Sequence, residues 1–255
     1  MARIIAIANQ KGGVGKTTTA INLAAALGAF DKRVLLIDLD PQSNATSGLG
    51  FSKKDQMETV YGALLSGQAA GAIRESGFPN LWLLPSGRDL VGAEIELVEQ
   101  EGRETRLRFA IGPVRGGYDY ILIDCPPSLS LLTVNALTAA DSVLVPIQTE
   151  YFALEGLTEL LETVERVRAS WNPLLTVEGI VLTMYDERTN LGRQVVEDIR
   201  QHFGDRVFQT IIPRNVRLGE APSYGKPVFA YDIKSRGAEA YLALGRELLK
   251  RHGTK

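Results

Sequence analysis

The chain has 255 residues, 45% hydrophobic and 23% charged, which is enough apolar material for a full core without disulfide or metal staples. A formal net charge of −2 excludes a uniformly basic nucleic-acid binder, though not a local basic patch. The single cysteine, Cys125, rules out an intrachain disulfide. No apolar run approaches a membrane span and the first residues lack a signal-peptide pattern, so the expected location is the cytoplasm.

In chain order, the first predicted strand covers 4–8 and runs through Asn9 and Gln10 into Lys-Gly-Gly-Val-Gly-Lys-Thr-Thr at 11–18. An almost wholly apolar helix is predicted over 17–27. Strand, glycine-rich turn and helix are the context in which such a loop holds phosphate. Gly12, Gly13 and Gly15 let the backbone curl so that its N–H groups face one point, and the helix N-terminus adds partial positive charge there. Lys16 is expected to reach the β- and γ-phosphates, and Thr17 to place its hydroxyl on Mg²⁺. The ordinary G-x-x-x-x-G-K-[ST] pattern asks for glycine at position 10; this chain has Gln10 there, and a second lysine, Lys11.

The next strand, 34–37, ends in Asp38-Leu39-Asp40-Pro41-Gln42, and a period of two puts Asp38 and Asp40 on one face. Strands follow at 81–84 and 120–123, the second ending in Asp124 before Cys125-Pro126-Pro127. An apolar strand ending in aspartate is the usual second metal-site element beside a phosphate loop. Either aspartate alone also suits a helix cap or a turn; the loop beside them favours a site. Further strands are predicted at 142–147, 177–182 and 207–212, and helices at 154–169, 194–203 and 238–250. The alternation predicts α/β architecture: one doubly wound, mostly parallel sheet with helices on both faces, the P-loop NTPase arrangement. With no linker or repeat, residues 1–255 are expected to form a single domain.

The motifs at 11–18, 38–42 and 124–128 resemble those of the deviant-Walker ParA/MinD ATPases. Leu182-Thr183-Met184 and Ile212-Pro213-Arg214-Asn215-Val216-Arg217 extend the likeness, specifically toward the chromosomal ParA (Soj) branch, and it covers nearly the whole chain. The resemblance implies ATP and Mg²⁺ as ligands, with Lys11, Lys16 and Asp40 as catalytic residues. Lys11 would reach the nucleotide of the other subunit in an ATP-driven homodimer, and Asp40 would position the attacking water. The loop residues Lys11, Gly12, Gly13, Val14, Gly15, Lys16, Thr17 and Thr18 would hold the phosphates, and Met184, Pro213 and Asn215 the adenine. Thr17 would bind the metal directly, Asp38 and Asp124 through water. Gly12 would have to be small because the partner approaches there. Arg188 and Arg217 match DNA-contacting positions, which implies nonspecific binding to double-stranded DNA, association with the nucleoid, and a ParB-type centromere-binding partner that stimulates hydrolysis.

Relatives that carry metal clusters or target membrane tails need paired cysteines, which Cys125 alone does not supply. The alternative is a Min-type regulator cycling on membrane or a protein scaffold through a basic C-terminal helix. Lys250, Arg251 and Lys255 fit that; Glu239 and Glu247 and the absence of Phe or Trp do not, so the expectation is a last helix packed on the sheet. A metabolic ligase with a P-loop is a third reading, without a recognisable organic substrate pocket. His202 and His252 have no Cys or His neighbours to suggest a metal site, and the acidic run 94–101 is expected to be a solvated helix face.

Overall fold

The computed structural model describes residues 1–52, 58–150 and 153–253; Lys255 lies outside them. Strand β1 (Arg3–Ile7) leads to helix α1 (Lys16–Ala29), β2 (Val34–Asp38) and the short helices α2 (Asn44–Gly48) and α3 (Val60–Ser66). Next come β3 (Arg74–Glu75), β4 (Leu81–Leu84), α4 (Leu90–Glu96), α5 (Arg106–Ile111) and β5 (Tyr120–Asp124). Then follow α6 (Leu131–Ala139), β6 (Ser142–Gln148), α7 (Ala153–Ser170), β7 (Thr176–Tyr185) and α8 (Asn190–Phe203). The order closes with β8 (Val207–Pro213), α9 (Val216–Glu220), α10 (Val228–Tyr231) and α11 (Arg236–Arg251).

The strands form one eight-stranded sheet in the order β3-β4-β2-β5-β1-β6-β7-β8. Every neighbouring pair is parallel except β3 with β4. Alternation along the strands divides two cores. Ile4, Ala6, Leu35, Ile37, Ile121 and Ile123 face a core completed by α3 to α8. Ile5, Ile7, Val34, Leu36 and Leu122 face a second core completed mainly by α1 and α11. Helices therefore cover both faces, as expected for a doubly wound sheet. The strand order reverses about β1, with β2 and β4 on one side and β6 to β8 on the other. Open α/β sheets bind ligands beyond the carboxyl ends of their strands at such a reversal.

The terminal helix lies on the sheet. Tyr241, Leu244 and Leu248 of α11 are buried, and the Tyr241 hydroxyl is 3.1 Å from the Thr19 hydroxyl of α1. Glu247 accepts the backbone N–H groups of Gln209 and Thr210 on the edge strand β8, both at 2.8 Å. Beyond α11, His252 is part of a buried network: Nδ1 is 2.9 Å from the Tyr120 hydroxyl and Nε2 is 2.9 Å from Glu178 Oε1. Ser142 Oγ donates to the other Glu178 oxygen at 2.6 Å. Among the described residues, no helix is long and apolar enough to cross a membrane.

Candidate functional site

Between the end of β1 and the start of α1, the chain turns through the glycine loop. Gly13 and Gly15 take φ of 75° and 85°, which side-chain-bearing residues rarely adopt. Gln10 has no such φ, so the missing glycine of the ordinary pattern is not needed at that position. Gly12 likewise has ordinary φ, and a Cβ there would meet nothing within 4 Å. Nothing inside this chain requires glycine at position 12.

Residues from three strands anchor the loop. Asn9 follows β1; its amide donates to the Pro146 carbonyl of β6 at 2.8 Å, and its Oδ1 accepts the Lys11 N–H at 2.9 Å. Thr183 of β7 donates its hydroxyl to the Val14 carbonyl at 2.9 Å. Lys16 is buried, and its Nζ donates to the Lys11 carbonyl at 3.0 Å, so its ammonium sits under the loop. Burial lowers the Lys16 pKa against the opposing pull of Asp124, Cys125 and Asp40. Lys11 points elsewhere: its Nζ pairs with Glu150 at 2.9 Å, with side chains 41% and 47% exposed.

Two carboxylates meet below the loop. Parallel pairing of β2 with β5 sets Asp38 opposite Asp124, and Ile7 at the end of β1 stands on the other side of Asp124. Both aspartates are fully buried. Asp38 is engaged within the chain: Oδ2 accepts from the Thr46 N–H at 2.7 Å and the Thr46 hydroxyl at 2.6 Å, and Oδ1 from the Asp40 N–H at 3.2 Å. Burial nevertheless raises its pKa to about 6. Neither oxygen of Asp124 completes a hydrogen bond. Burial, and then the nearby Asp38, push its pKa well above the carboxylate range, while Thr17 and Lys16 pull the other way. Asp40 is buried, and its Oδ1 accepts the Gln42 N–H at 2.9 Å.

A buried carboxylate without a partner is costly unless a ligand completes it. Asp124, the Thr17 hydroxyl and what remains of Asp38's capacity are hard oxygen donors. They suit a cation that takes few protein ligands and keeps water and phosphate oxygens, as Mg²⁺ does. No group of three or more His, Cys, Asp or Glu placed to hold a metal by themselves occurs among the described residues.

Beside the loop is a cavity of about 350 Å³, lined among others by Gly15, Thr18, Met184, Pro213, Asn215 and Tyr241. The expected adenine residues are thus brought together. Met184 has φ of 52°, an unfavourable conformation for its type that the Thr183 bond and the sheet hold in place. Asn215 caps α9 by accepting the Arg217 N–H at 3.0 Å. Arg188 and Arg217 lie beyond the carboxyl ends of the adjacent strands β7 and β8. Each is already paired. Arg188 makes two bonds to Asp186, at 2.8 and 2.6 Å, holding the carboxyl down at about 2. Arg217 reaches Glu220 at 2.7 Å and Asp232 at 3.2 Å. Sequence reasoning gave no role to Asn9, Glu150 or Tyr241, whose partners are remote in the chain; Thr183 was noted only within a motif.

A loop so built, at the reversal of a doubly wound parallel sheet, defines the class: this is a P-loop NTPase fold. A family model described as an AAA domain matches residues 2–177. The chain is 57% identical over 259 residues to the chromosome partitioning protein ParA of Myxococcus xanthus, covering 100% of this chain and 90% of that protein. It is 56% identical over 249 residues to the sporulation initiation inhibitor protein Soj of Bacillus subtilis, covering 97% and 98%. Among solved structures, a cobyrinic acid a,c-diamide synthase from Mycobacterium smegmatis with bound ATP analogue and magnesium has a TM-score of 0.87 at 38% identity, covering 99% and 96%. The chain belongs to the ParA/Soj family of chromosome-partitioning ATPases.

Proposed function

We propose that the chain binds ATP with Mg²⁺ at this loop and hydrolyses it slowly, as the switch of a DNA-partitioning cycle. The observation that carries the reading is Asp124, a buried carboxylate with two unused oxygens beside Lys16 and Thr17. The loop N–H groups and Lys16 neutralise the phosphates, Met184, Pro213 and Asn215 seat the adenine, and Asp40 orients the attacking water. Thr17, and Asp38 and Asp124 through water, would hold Mg²⁺, which when bound would add charge neutralisation on the phosphates.

Two features favour ATP-dependent dimerisation. The space over Gly12 is open, which leaves room for a second subunit. The Lys11–Glu150 pair is half exposed, and such pairs are worth about 0–1 kcal/mol, so Lys11 can leave it for a nucleotide across the interface. The dimer then binds duplex DNA through Arg188 and Arg217, by phosphate and without sequence preference. Hydrolysis, stimulated by a ParB-type partner, releases it.

The test is fluorescence anisotropy on an unrelated duplex with ATP, ADP or no nucleotide, at low and moderate salt. Binding that requires ATP and fades with salt is expected. Hydrolysis without DNA binding would sink the partitioning half of the reading and turn attention to liposomes.

A further inference from the structure

Four buried residues close a ring of hydrogen bonds behind the candidate metal site: Asp38 at the end of β2, Asp40 two residues on, Thr46 in α2 and Ser86 just past β4. Thr46 is the hub. Its hydroxyl donates to Asp38 Oδ2 at 2.6 Å, its N–H donates to the same oxygen at 2.7 Å, and its Oγ1 accepts the Ser86 N–H at 2.9 Å. A hydroxyl has a single proton. With the Ser86 N–H on one lone pair, that proton is directed at the carboxylate. The ring closes through Asp40, whose N–H donates to Asp38 Oδ1 at 3.2 Å and whose carbonyl accepts the Ser86 hydroxyl at 2.7 Å. Ser86 is itself fixed, because the Pro85 carbonyl before it accepts the Val60 N–H of α3 at 2.8 Å.

We infer that Thr46 is a positioning residue for the reaction: its hydroxyl fixes the Asp38 carboxylate for a metal-bound water and, through the ring, the backbone that carries Asp40. The inference rests on the reading that Mg²⁺–ATP binds at the loop. The count of acceptor positions carries it. A carboxylate offers about four lone-pair positions, two on each oxygen. Thr46 fills both on Oδ2, and the Asp40 N–H fills one on Oδ1. Oδ1 is left as the oxygen with a free position, and Asp38 has that oxygen to offer a water. The 2.6 Å bond has the length of a hydroxyl donating to a charged carboxylate, a strong bond that resists rotation of the group. Without the hydroxyl, Asp38 loses half of its hold on Oδ2, and the buried Ser86 N–H loses its acceptor. Thr46 is buried, so it acts on the reaction through the two aspartates rather than by touching nucleotide. Outer bonds of this kind, behind a group that holds a metal, typically matter by about 10–100-fold in affinity or activity.

The test compares Thr46→Val, which keeps the shape and removes the hydroxyl, with Thr46→Ser, which keeps the hydroxyl and removes the methyl. One readout is binding of a fluorescent, non-hydrolysable ATP analogue to the full chain, in Mg²⁺ and in EDTA. The other is single-turnover hydrolysis of ATP. In Thr46→Val, affinity in EDTA is expected to stay within about twofold, the gain on adding Mg²⁺ to be mostly lost, and hydrolysis to slow about tenfold or more. Thr46→Ser is expected to restore both to within about threefold. Ser86→Ala loosens the same ring but leaves the Ser86 N–H on Thr46, so its Mg²⁺ gain is expected to survive. Circular dichroism melts check folding, and Thr46→Ala takes the place of Thr46→Val if the valine variant does not fold. An undiminished Mg²⁺ gain in Thr46→Val overturns the proposal. So does an equal loss in Thr46→Ser or in Ser86→Ala, because the effect would then belong to packing rather than to the hydroxyl. A missing Mg²⁺ gain in the unaltered chain would overturn the Mg²⁺–ATP reading itself, and the proposal with it.

Discussion

Replacing Asp124 by asparagine removes a charge and changes almost nothing in shape. In the ligand-free chain both Asp124 oxygens are buried without partners, and the Asp38 carboxyl stands opposite on the next strand. Burying a carboxylate without a partner costs more than burying the neutral amide that would replace it, whose polar atoms stay unsatisfied, and the facing carboxyl adds to that difference. Neutralising Asp124 is therefore expected to stabilise the nucleotide-free protein by about 1–2 kcal/mol. For a chain of this size that raises Tm by about 2–8 °C. With ligand the sign reverses. A Mg²⁺–ATP analogue at about 100 times its Kd stabilises the unaltered protein by about 2.7 kcal/mol. Asp124→Asn is expected to lose most of that increment. Scanning calorimetry with and without the analogue reads both effects on the same samples. A lower apo Tm, or a ligand-induced shift as large as the unaltered protein's, would refute the view that Asp124 is held unsatisfied for a ligand.

Other perturbations separate the parts of the cycle. Lys11→Ala is expected to leave ATP binding intact and abolish the ATP-dependent dimer; a dimer surviving on sizing chromatography with an ATP analogue contradicts the role in trans. Arg217→Ala is expected to weaken binding to unrelated duplexes about equally and to reduce the salt slope by about one phosphate contact, and a loss confined to one sequence would count against phosphate recognition. Asp186→Asn frees Arg188 from its own carboxylate, so DNA affinity measured by anisotropy should rise rather than fall. Glu178 tests the network at the other end of the sheet. Burial pushes its carboxyl up, but hydrogen bonds with His252 and Ser142 outweigh that and hold it below its ordinary value of 4.5. A depressed acid stabilises fully above its unfolded pKa and loses that contribution as pH falls through the folded value. Glu178→Gln is therefore expected to cost about 1–3 kcal/mol at neutral pH, with the gap in urea melts narrowing below about pH 4.5; a gap constant with pH would exclude the charged form as the source.

The parts of the site legible in the sequence are those written contiguously. The loop at 11–18 announces itself because strand, glycines, lysine and helix are consecutive, and Asp38 and Asp124 are visible as acids closing apolar strands. That these two stand opposite each other depends on β2 pairing with β5, which no local pattern specifies. Asn9 and Thr183 anchor the loop through carbonyls or from positions distant in the chain, so their types carried no local signal. His252 has no metal-binding neighbours in the sequence, and its partners Glu178 and Tyr120 lie 74 and 132 residues away. The longer helices α7, α8 and α11 have periodic faces and α1 is apolar almost all round, so all four are predicted within a few residues of their ends. The short α2, α3 and α5 escaped because a helix of one or two turns shows too little of its period, and α4 is expected only as the acidic helix face at 94–101, whereas the helix covers Leu90–Glu96 with apolar residues on two sides. β3 escaped as a two-residue polar edge strand.

The carboxyl end of β7 works like a short crank. Thr183 holds the phosphate loop, Met184 turns at positive φ into the cavity, and the chain then runs directly to Asp186 and Arg188. Between them lies only the turn closed by the Thr189 N–H to the Asp186 carbonyl at 3.1 Å. A base seated against the Met184 thioether would stand four residues from Arg188, whose guanidinium is held by Asp186. A rotation of the backbone at Met184 would carry Asp186 and Arg188 with it, so that the lining of the cavity and the position of that ion pair are set by one short stretch of chain.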